Sequence, residues 1–507
     1  MPNIEEQPAA GLPEGAAAGF NYRSLFSDVA VYSFGNLLIK GLSLISAPIF
    51  TRLFDPAQYG AWSYINVMVA LMTGIMLLGG DSAYTRYFFQ CENEEEKKTL
   101  TVTWFTFLAI WSVVALAAIL PFSATLSAWM MGGEGYRTAW VIGLASAPLA
   151  MMNLILAQAL RNTFRARAFA LFNVATAVLT IGLAVFFVTV FEMGVAGAVL
   201  GAAAASLLII PLRLWSVRGL LSPRFSLALV KKLLLFGLPL VPMNIAFWLF
   251  SNGDRLMLAR LAGLEDVGLY SIAASMAAVL MVLQNAVGQS WQPHGIKVYE
   301  ENRELAAAVF RRTMIYLLAG AGFVITGFTA LAQEVLFLLV PPAYYAAYSV
   351  IPFLAAGFLF FTSAHVSVVA ILVKNKTVYI MFACWLVAGL NLLLNRLLIP
   401  LFGMVGAGVA TGLAYMLFAA GYAFISRKLW PVDYPRQVTT ALLAIPLAAI
   451  ALIAAVARFG PGILANFALK LAVLVLCGLL LATVVAKAEG KSFRELAREL
   501  LKKKGLK

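Results

Sequence analysis

Long apolar runs separated by short polar breaks dominate the chain. At 1.5 Å rise per residue a helix needs about 20 residues to cross a bilayer. Runs of that length fall at 29–51, 61–84, 100–123, 139–160, 169–190, 195–214, 233–252, 268–290, 313–333, 347–372, 378–400, 404–425, 438–457 and 463–486. The pattern predicts an all-α polytopic membrane protein of fourteen spans. The breaks are too short to hold a soluble catalytic domain.

The pattern also repeats. Phe34-Gly35-Asn36 opens an apolar run, Thr51-Arg52-Leu53-Phe54-Asp55-Pro56 breaks it, and Tyr59-Gly60-Ala61-Trp62-Ser63 opens the next. From Phe236 the order returns: Phe236-Gly237 through Asn244, a break expected at Ser251-Asn252-Gly253-Asp254-Arg255, and a restart at Val267-Gly268-Leu269-Tyr270-Ser271. Gly60 maps onto Gly268 at an offset of 208, and Gly194-Val195-Ala196-Gly197-Ala198 onto Gly403 to Ala407 at 209. Two landmarks with nearly one spacing indicate an internal duplication. Six spans separate the copies, so they enter the membrane with one orientation, as parallel repeats about an axis along the membrane normal. The expected organisation is an N-terminal tail over 1–27, a six-helix lobe over 28–215, a cytoplasmic linker over 216–232, a second six-helix lobe over 233–426, a helix pair within 437–486 and a basic amphipathic tail over 487–507. In that tail Ser492 and Glu495 form a capping box, and Phe493, Leu496, Ala497, Leu500 and Leu501 share a face suited to the lipid surface.

Composition agrees: 62% of residues are hydrophobic and 12% charged, against roughly 25% charged in soluble domains. The opening residues lack the basic and short apolar regions of a cleaved signal peptide. Cys91, Cys384 and Cys477 have neither metal-ligand spacing nor a disulfide framework, and no cofactor is called for. In a soluble protein the net charge of +14 would suggest nucleic acid. Here it reads as topology, because 29 of the 37 Lys and Arg fall on one side of the predicted spans and 6 on the other. That bias puts both termini in the cytoplasm.

Polar residues inside the spans are the candidate chemistry, since a charge near the bilayer centre costs a few kcal/mol without water, a partner or a ligand. Lys40 lies at mid-depth on a stripe with Ser33, Asn36, Ser43 and Thr51. It contacts substrate, snorkels, or pairs with a nearby acid, for which Asp81, with Arg86 beyond it, is the candidate. Asn244, Ser251 and Asp254 form a second stripe, and Asp254-Arg255 reads most simply as an interfacial ion pair closing its span as Arg52 closes the first. Ser271, Ser275, Asn285 and Gln289 line the next helix. His365 is expected to be a hydrogen-bonded histidine in preference to a proton relay. Asn391 and Asn395 are one turn apart, with Arg396 free to reach outward. Ser146, Asn153, Asn173, Thr176 and Thr180 serve equally as lining or as interhelical hydrogen bonds. The deepest charge is a cation and arginines ring the outward half, so an anionic substrate such as a phosphate or diphosphate is favoured.

These residues carry a resemblance. Gly35-Asn36 through Thr51 to Gly60, the stretch from Gly79 to Tyr87, Asp254-Arg255 through Val267 to Ser271, Trp291-Gln292-Pro293 and the Gly194/Gly403 repeats together resemble the polysaccharide transport family, the oligosaccharide-lipid (O-antigen-type repeat-unit) flippases of the multidrug/oligosaccharidyl-lipid/polysaccharide exporter superfamily. The resemblance implies two six-helix bundles around a central cavity in a MATE-like fold, with alternating access. It implies transfer of a polyprenyl-diphosphate-linked sugar repeat unit to the outer leaflet of a bacterial cytoplasmic (inner) membrane for lipopolysaccharide or exopolysaccharide, with a polymerase and chain-length regulator as partners and H+ or Na+ as coupling ion. Lys40 and Arg52 would stand where lipid II flippases use first-helix arginines on the diphosphate. The terminal helix pair would form a lipid-tail groove. The rivals are a cation-coupled multidrug exporter, expected to place an acid where Lys40 stands, a lipid II flippase of the same fold, and a membrane-embedded sugar polymerase or ligase, expected to carry a large outward loop. The preferred reading is a transporter, not an enzyme, that binds no nucleic acid.

Overall fold

The computed structural model describes residue 42 and residues 46–131, 135–376, 378–460 and 463–491. Asn36 and Lys40, the N-terminal tail and the amphipathic tail from 492 onward lie outside the described residues, and the span predicted at 29–51 is described only at its end. Among the described residues the secondary structure is helical, and twelve helices are long and apolar enough to cross a membrane. One of them, Val378–Leu429, has 52 residues, about 78 Å of helix, which is more than twice the roughly 30 Å of a hydrocarbon core. Gly403, with φ 54° and ψ −135°, divides it into the two predicted spans. Asp266 accepts the Met404 N–H at 2.8 Å and so caps the second half. Gly194, with φ 53°, opens helix Gly194–Ser216 in the same way. The two left-handed glycines that the offset of 209 relates therefore perform one task in each repeat.

Helix Pro56–Leu77 begins with a capping box: the Gln58 N–H donates to Asp55 at 2.8 Å and Gln58 Oε1 accepts from the Asp55 N–H at 3.2 Å, with Pro56 at the first turn. Leu78 (φ 53°) and Gly79 (φ 68°) end it, and Gly80–Phe88 follows as a separate helix. The predicted single span over 61–84 is thus broken. The break has a packing reason, since a Cβ on Gly79 would lie 2.3 Å from the Gly237 carbonyl oxygen, and only a bare backbone can sit there.

The expected break at Ser251–Arg255 is absent. Helix Val241–Leu261 runs through it and ends at Ala262, with Gly263 (φ 98°) making the turn. Ser-Asn-Gly-Asp is a turn-forming composition, but Asn252 turns its amide back onto the Trp248 carbonyl at 3.3 Å. Gly253 takes a neighbouring helix close, a Cβ there lying 3.0 Å from Leu392. Arg255 therefore does not close the span, and at an offset of 208 the counterpart of Arg52 is Arg260. Arg213, which the charge count places among the cytoplasmic basic residues, is inside helix Gly194–Ser216 and only 2% exposed.

The repeats meet by a reciprocal contact. A Cβ on Gly60 would lie 1.8 Å from the Leu264 carbonyl oxygen, and one on Gly268 would lie 1.9 Å from that of Pro56. Leu264 and Pro56 are themselves 208 apart, so each helix presents the same surface to the other, the signature of a two-fold relation. Ser63 and Ser271, also 208 apart, share a hydrogen bond of 2.8 Å between their hydroxyls. Both helices begin at this contact and run away from it in parallel, so the two-fold axis lies along them. Around it Tyr344 donates to the Phe54 carbonyl at 2.9 Å, Arg52 to the Leu339 carbonyl at 3.1 Å, and the rings of Tyr59 and Tyr344 meet edge-on at 5.8 Å.

The outer faces are apolar and exposed, with Leu171, Val178, Phe186 and Val190 along one helix, as lipid contact requires. The last two helices, Arg436–Phe459 and Ile463–Ala488, pack on Arg303–Leu339. Lys470 is 1% exposed and pairs there with Glu334 at 2.8 Å, with Gln333 as a further acceptor.

Two measurements check this architecture. Gly268→Ala inserts a methyl where no space exists, so it should part the repeats at this end, seen as new labelling of a cysteine placed at position 63 and as loss of transport at normal protein levels. Lys470→Met leaves Glu334 unpaired and should cost about 3 kcal/mol of stability in detergent unfolding, most of it recovered in Lys470→Met/Glu334→Leu.

Candidate substrate cavity

Helix Val241–Leu261 places Asp254 and Arg255 inside the second repeat, where a cavity of about 250 Å³ is lined by both and by Tyr270, Asn285, Thr411 and Tyr415. Asp254 is 5% exposed. It accepts a hydrogen bond from the Tyr270 hydroxyl and another from the Arg255 backbone N–H at 2.8 Å. With its proton on Asp254, Tyr270 receives one from Thr411 across 3.4 Å.

Asp254 and Arg255 do not form the ion pair expected from their adjacency. Neighbours on a helix point about 100° apart and do not face each other. Arg255 instead donates through Nε to Ser271 at 3.2 Å and through Nη1 to Asn252 at 3.1 Å. Ser271 also accepts from Ser63, so the Arg255 guanidinium reaches the seam between the repeats and is held there by neutral groups. Among the described residues an acid without a contacting cation and a cation without a contacting acid sit side by side in an apolar lobe, at a cost that a ligand or ion can offset.

The other candidates separate into distinct places. Asn391 and Asn395 are buried, and Asn395 Nδ2 donates to Asn391 Oδ1 at 3.1 Å. Asn391 lies near Gly253, its Oδ1 3.9 Å from where a Cβ there would stand, while Arg396 is exposed. Asn244 is exposed, ten residues or about 15 Å of helix from Asp254. Arg52 ties the repeats at the Pro56 end, as described. His365 contacts the Phe361 ring at 4.9 Å, and its Nε2 is buried without a hydrogen-bond partner among the described residues. Asp81 and Arg86 line a separate cavity of about 560 Å³ at the other end of the first repeat, with Arg86 over the Phe236 ring at 4.6 Å.

Several polar groups that matter were not singled out for their roles. Tyr270 and Thr411 hold Asp254. The pairing of Ser63 with Ser271 was legible, because the offset of Gly60 and Gly268 also relates these two serines. Arg213 donates to the Asn153 carbonyl at 2.9 Å, to Asn173 at 2.8 Å and to Thr176 at 3.3 Å, which makes Asn153, Asn173 and Thr176 interhelical hydrogen-bonding groups. Among the described residues no three of His, Cys, Asp and Glu come together to hold a metal ion.

Tyr270→Phe keeps the ring and removes the hydroxyl that serves Asp254, and should destabilise the protein by about 1.5–3 kcal/mol. In Asp254→Asn the carboxylate is gone, so adding Tyr270→Phe should cost less than in the wild type. Thermal unfolding of the four proteins measures that coupling.

Three comparisons place these features among known proteins. The fold matches the solved structure of the lipid II flippase MurJ in an inward closed conformation, with a TM-score of 0.72 and 13% identity over 91% of this chain and 100% of that one. It matches an inward-facing multidrug resistance transporter of the MATE family in the MOP superfamily at 0.62, with 16% identity over 80% and 95%, and a MATE transporter of Vibrio cholerae at 0.56, with 15% identity over 80% and 96%. No curated protein matches the sequence significantly. Residues 25–294 match the family described as polysaccharide biosynthesis protein, and with more than half of its length inside that match the chain belongs to the polysaccharide biosynthesis protein family, built on the multi-pass helical fold of MurJ and the MATE transporters.

Proposed function

We propose that this protein is a flippase that moves a polyprenyl-diphosphate-linked oligosaccharide repeat unit across the bacterial cytoplasmic membrane, for assembly of a surface polysaccharide. The match of residues 25–294 to polysaccharide biosynthesis proteins carries the reading. Two further observations support it. The repeats touch through bare backbone at one end, a contact that alternating access would have to break and remake. The seam also holds the Arg255 guanidinium, whose fork suits a phosphate.

In this reading residues 28–215 and 233–426 move as lobes about the two-fold axis, both termini face the cytoplasm, and Lys40, with Arg52 or Arg255, contacts the diphosphate. Asp254 takes up the coupling ion, H+ or Na+, because a buried carboxylate without a contacting cation gains most from one. A polymerase and a chain-length regulator receive the product. No bond of the substrate need be made or broken. A lipid II substrate is the second reading, favoured by the fuller overlap with MurJ than with the MATE structures.

Three hosts separate the readings. Restored surface polysaccharide in a strain lacking its repeat-unit flippase is the expected result. Rescue of a strain depleted of its lipid II flippase, or drug resistance alone, would assign the chain to those classes instead. In the first host Lys40→Ala should lower transport about ten- to a hundredfold, the loss of a charge-assisted contact of roughly 1.5–3 kcal/mol, and Lys40→Arg should retain most of it. Recovery in Lys40→Ala/Asp81→Asn would instead show that Lys40 balances Asp81.

A further inference from the structure

The cavity at the end of the first repeat opposite the Gly60 contact is lined by Asp81, Arg86, Gln158, Arg161 and Asn162 and has a volume of about 560 Å³, within the range of small-ligand pockets. Its polar groups are amides, guanidiniums, hydroxyls and a carboxylate, and Arg161, Gln158, Thr85 and Asn162 are tied into one network that reaches the Asp81 backbone carbonyl through Thr85. Arg161 donates to Gln158 Oε1, and Gln158 donates to Thr85 and, at 3.2 Å, to Asn162 Oδ1. Two ends of the network are left over. Asn162 is 3% exposed, and among the described residues its Nδ2 has no acceptor and Asp81 Oδ1 has no donor. Buried polar atoms are rarely left in this state.

The leftover pair distinguishes among ligands. A phosphate can accept from Asn162 and the arginines but can offer Asp81 no proton. A metal cation can satisfy Asp81 but cannot accept from Asn162. A hydroxyl does both, donating to Asp81 and accepting from Asn162.

The rim of the cavity is aromatic. Phe89 is 55% and Phe164 68% exposed, and their rings lie 5.9 Å apart. Phe164 has φ 55°, directly after helix Arg137–Asn162 and Thr163, with its N–H on the Arg161 carbonyl at 3.0 Å. A helix end with this geometry favours glycine. Neither backbone preference nor burial in the protein accounts for a phenylalanine here, and strained positions of this kind gather at ligand sites. An apolar ring face beside planar hydrogen-bonding groups matches a sugar ring, whose C–H face is apolar and whose rim is hydroxyl.

We infer that this cavity is a carbohydrate subsite that receives the sugar part of the lipid-linked substrate, with Asn162 and Asp81 on one hydroxyl, Arg86 and Arg161 on neighbouring oxygens, and Phe164 with Phe89 against the ring face. The inference rests on the proposed flippase function and adds which residues read the sugar. It lies at the end that the charge count assigns to the cytoplasm, where a substrate would enter.

The test compares two probes on purified protein in lipid nanodiscs: undecaprenyl diphosphate, and the same lipid carrying a neutral, an N-acetylated or a uronic-acid disaccharide. Wild type should bind at least one sugar-bearing lipid about tenfold more tightly than the bare lipid. Phe164→Gly is the decisive variant, because glycine suits the left-handed backbone and the ring it removes is exposed, so the fold is retained. It should lose the sugar-dependent gain, and Asn162→Asp, which keeps the Oδ1 bonds and removes the donor, should lose it too. A gain that survives in both variants, or no gain in wild type with any disaccharide, overturns the subsite while bare lipid still binds. Failure of both the bare and the sugar-bearing lipids to bind overturns the flippase reading and the subsite with it.

Discussion

Everything in this molecule is arranged about the place where Gly60 and Gly268 let two helix backbones touch. Helices with ordinary side chains stay 8–10 Å apart at the axis, and small residues at the crossing let backbones approach more closely. Because the contact is reciprocal, each repeat supplies both the small residue and the carbonyl it approaches. The hydroxyls of Ser63 and Ser271, one turn further in, give the seam a polar bond, and Arg255 attaches to that bond from the second repeat. Lobe packing and interior charge are therefore coupled through one serine. A ligand drawing Arg255 away would weaken the seam.

The two repeats have diverged in what they carry inside. The second keeps a carboxylate and a guanidinium in its core, with Tyr270 and Thr411 serving the former. The first keeps a buried arginine, Arg213, held by a carbonyl, an amide and a hydroxyl. Arg213 is on the far side of its repeat from the seam, between three helices. It ties the helices together there, because neutral acceptors on its two Nη atoms hold the guanidinium without the need to desolvate a second charge, while its Nε has no acceptor among the described residues. One duplicated scaffold thus holds one cation as an internal brace and another at a surface that has to move.

Much of the fold was legible because membrane crossing imposes length. Runs of about 20 apolar residues have few alternatives, and the duplication was visible because glycines at backbone crossings tolerate no substitute. Three features escaped for three reasons. The Ser251–Arg255 segment has turn composition, but the helix continues because Asn252 bonds back to its own backbone and Gly253 packs against Leu392. Asp254 and Arg255 read as a pair because sequence shows adjacency, whereas helical rotation sends them to different partners. Arg213 was counted only as a cytoplasmic basic residue, and its bracing role escaped because the groups that bind it belong to two other helices. At the site, residue types were legible and their grouping was not. Asp81 and Arg86 were visible as polar residues, but Gln158, Arg161 and Asn162 belong to a helix some seventy residues away, and an exposed Phe164 carries no sequence signal beyond being aromatic.

The pair of Lys470 with Glu334 has a consequence for how the protein is made. Glu334 is in helix Arg303–Leu339, one residue past the ninth predicted span, and Lys470 is in the fourteenth, so the acid is inserted well before its partner is translated. Until the last helix arrives, one Glu334 oxygen faces no donor inside the repeat. The Glu334 carboxylate therefore gains its cation only when the end of the chain is inserted, and a polypeptide released early carries that carboxylate uncompensated. The terminal helix pair, outside the duplication by descent, is in this sense the step that closes assembly.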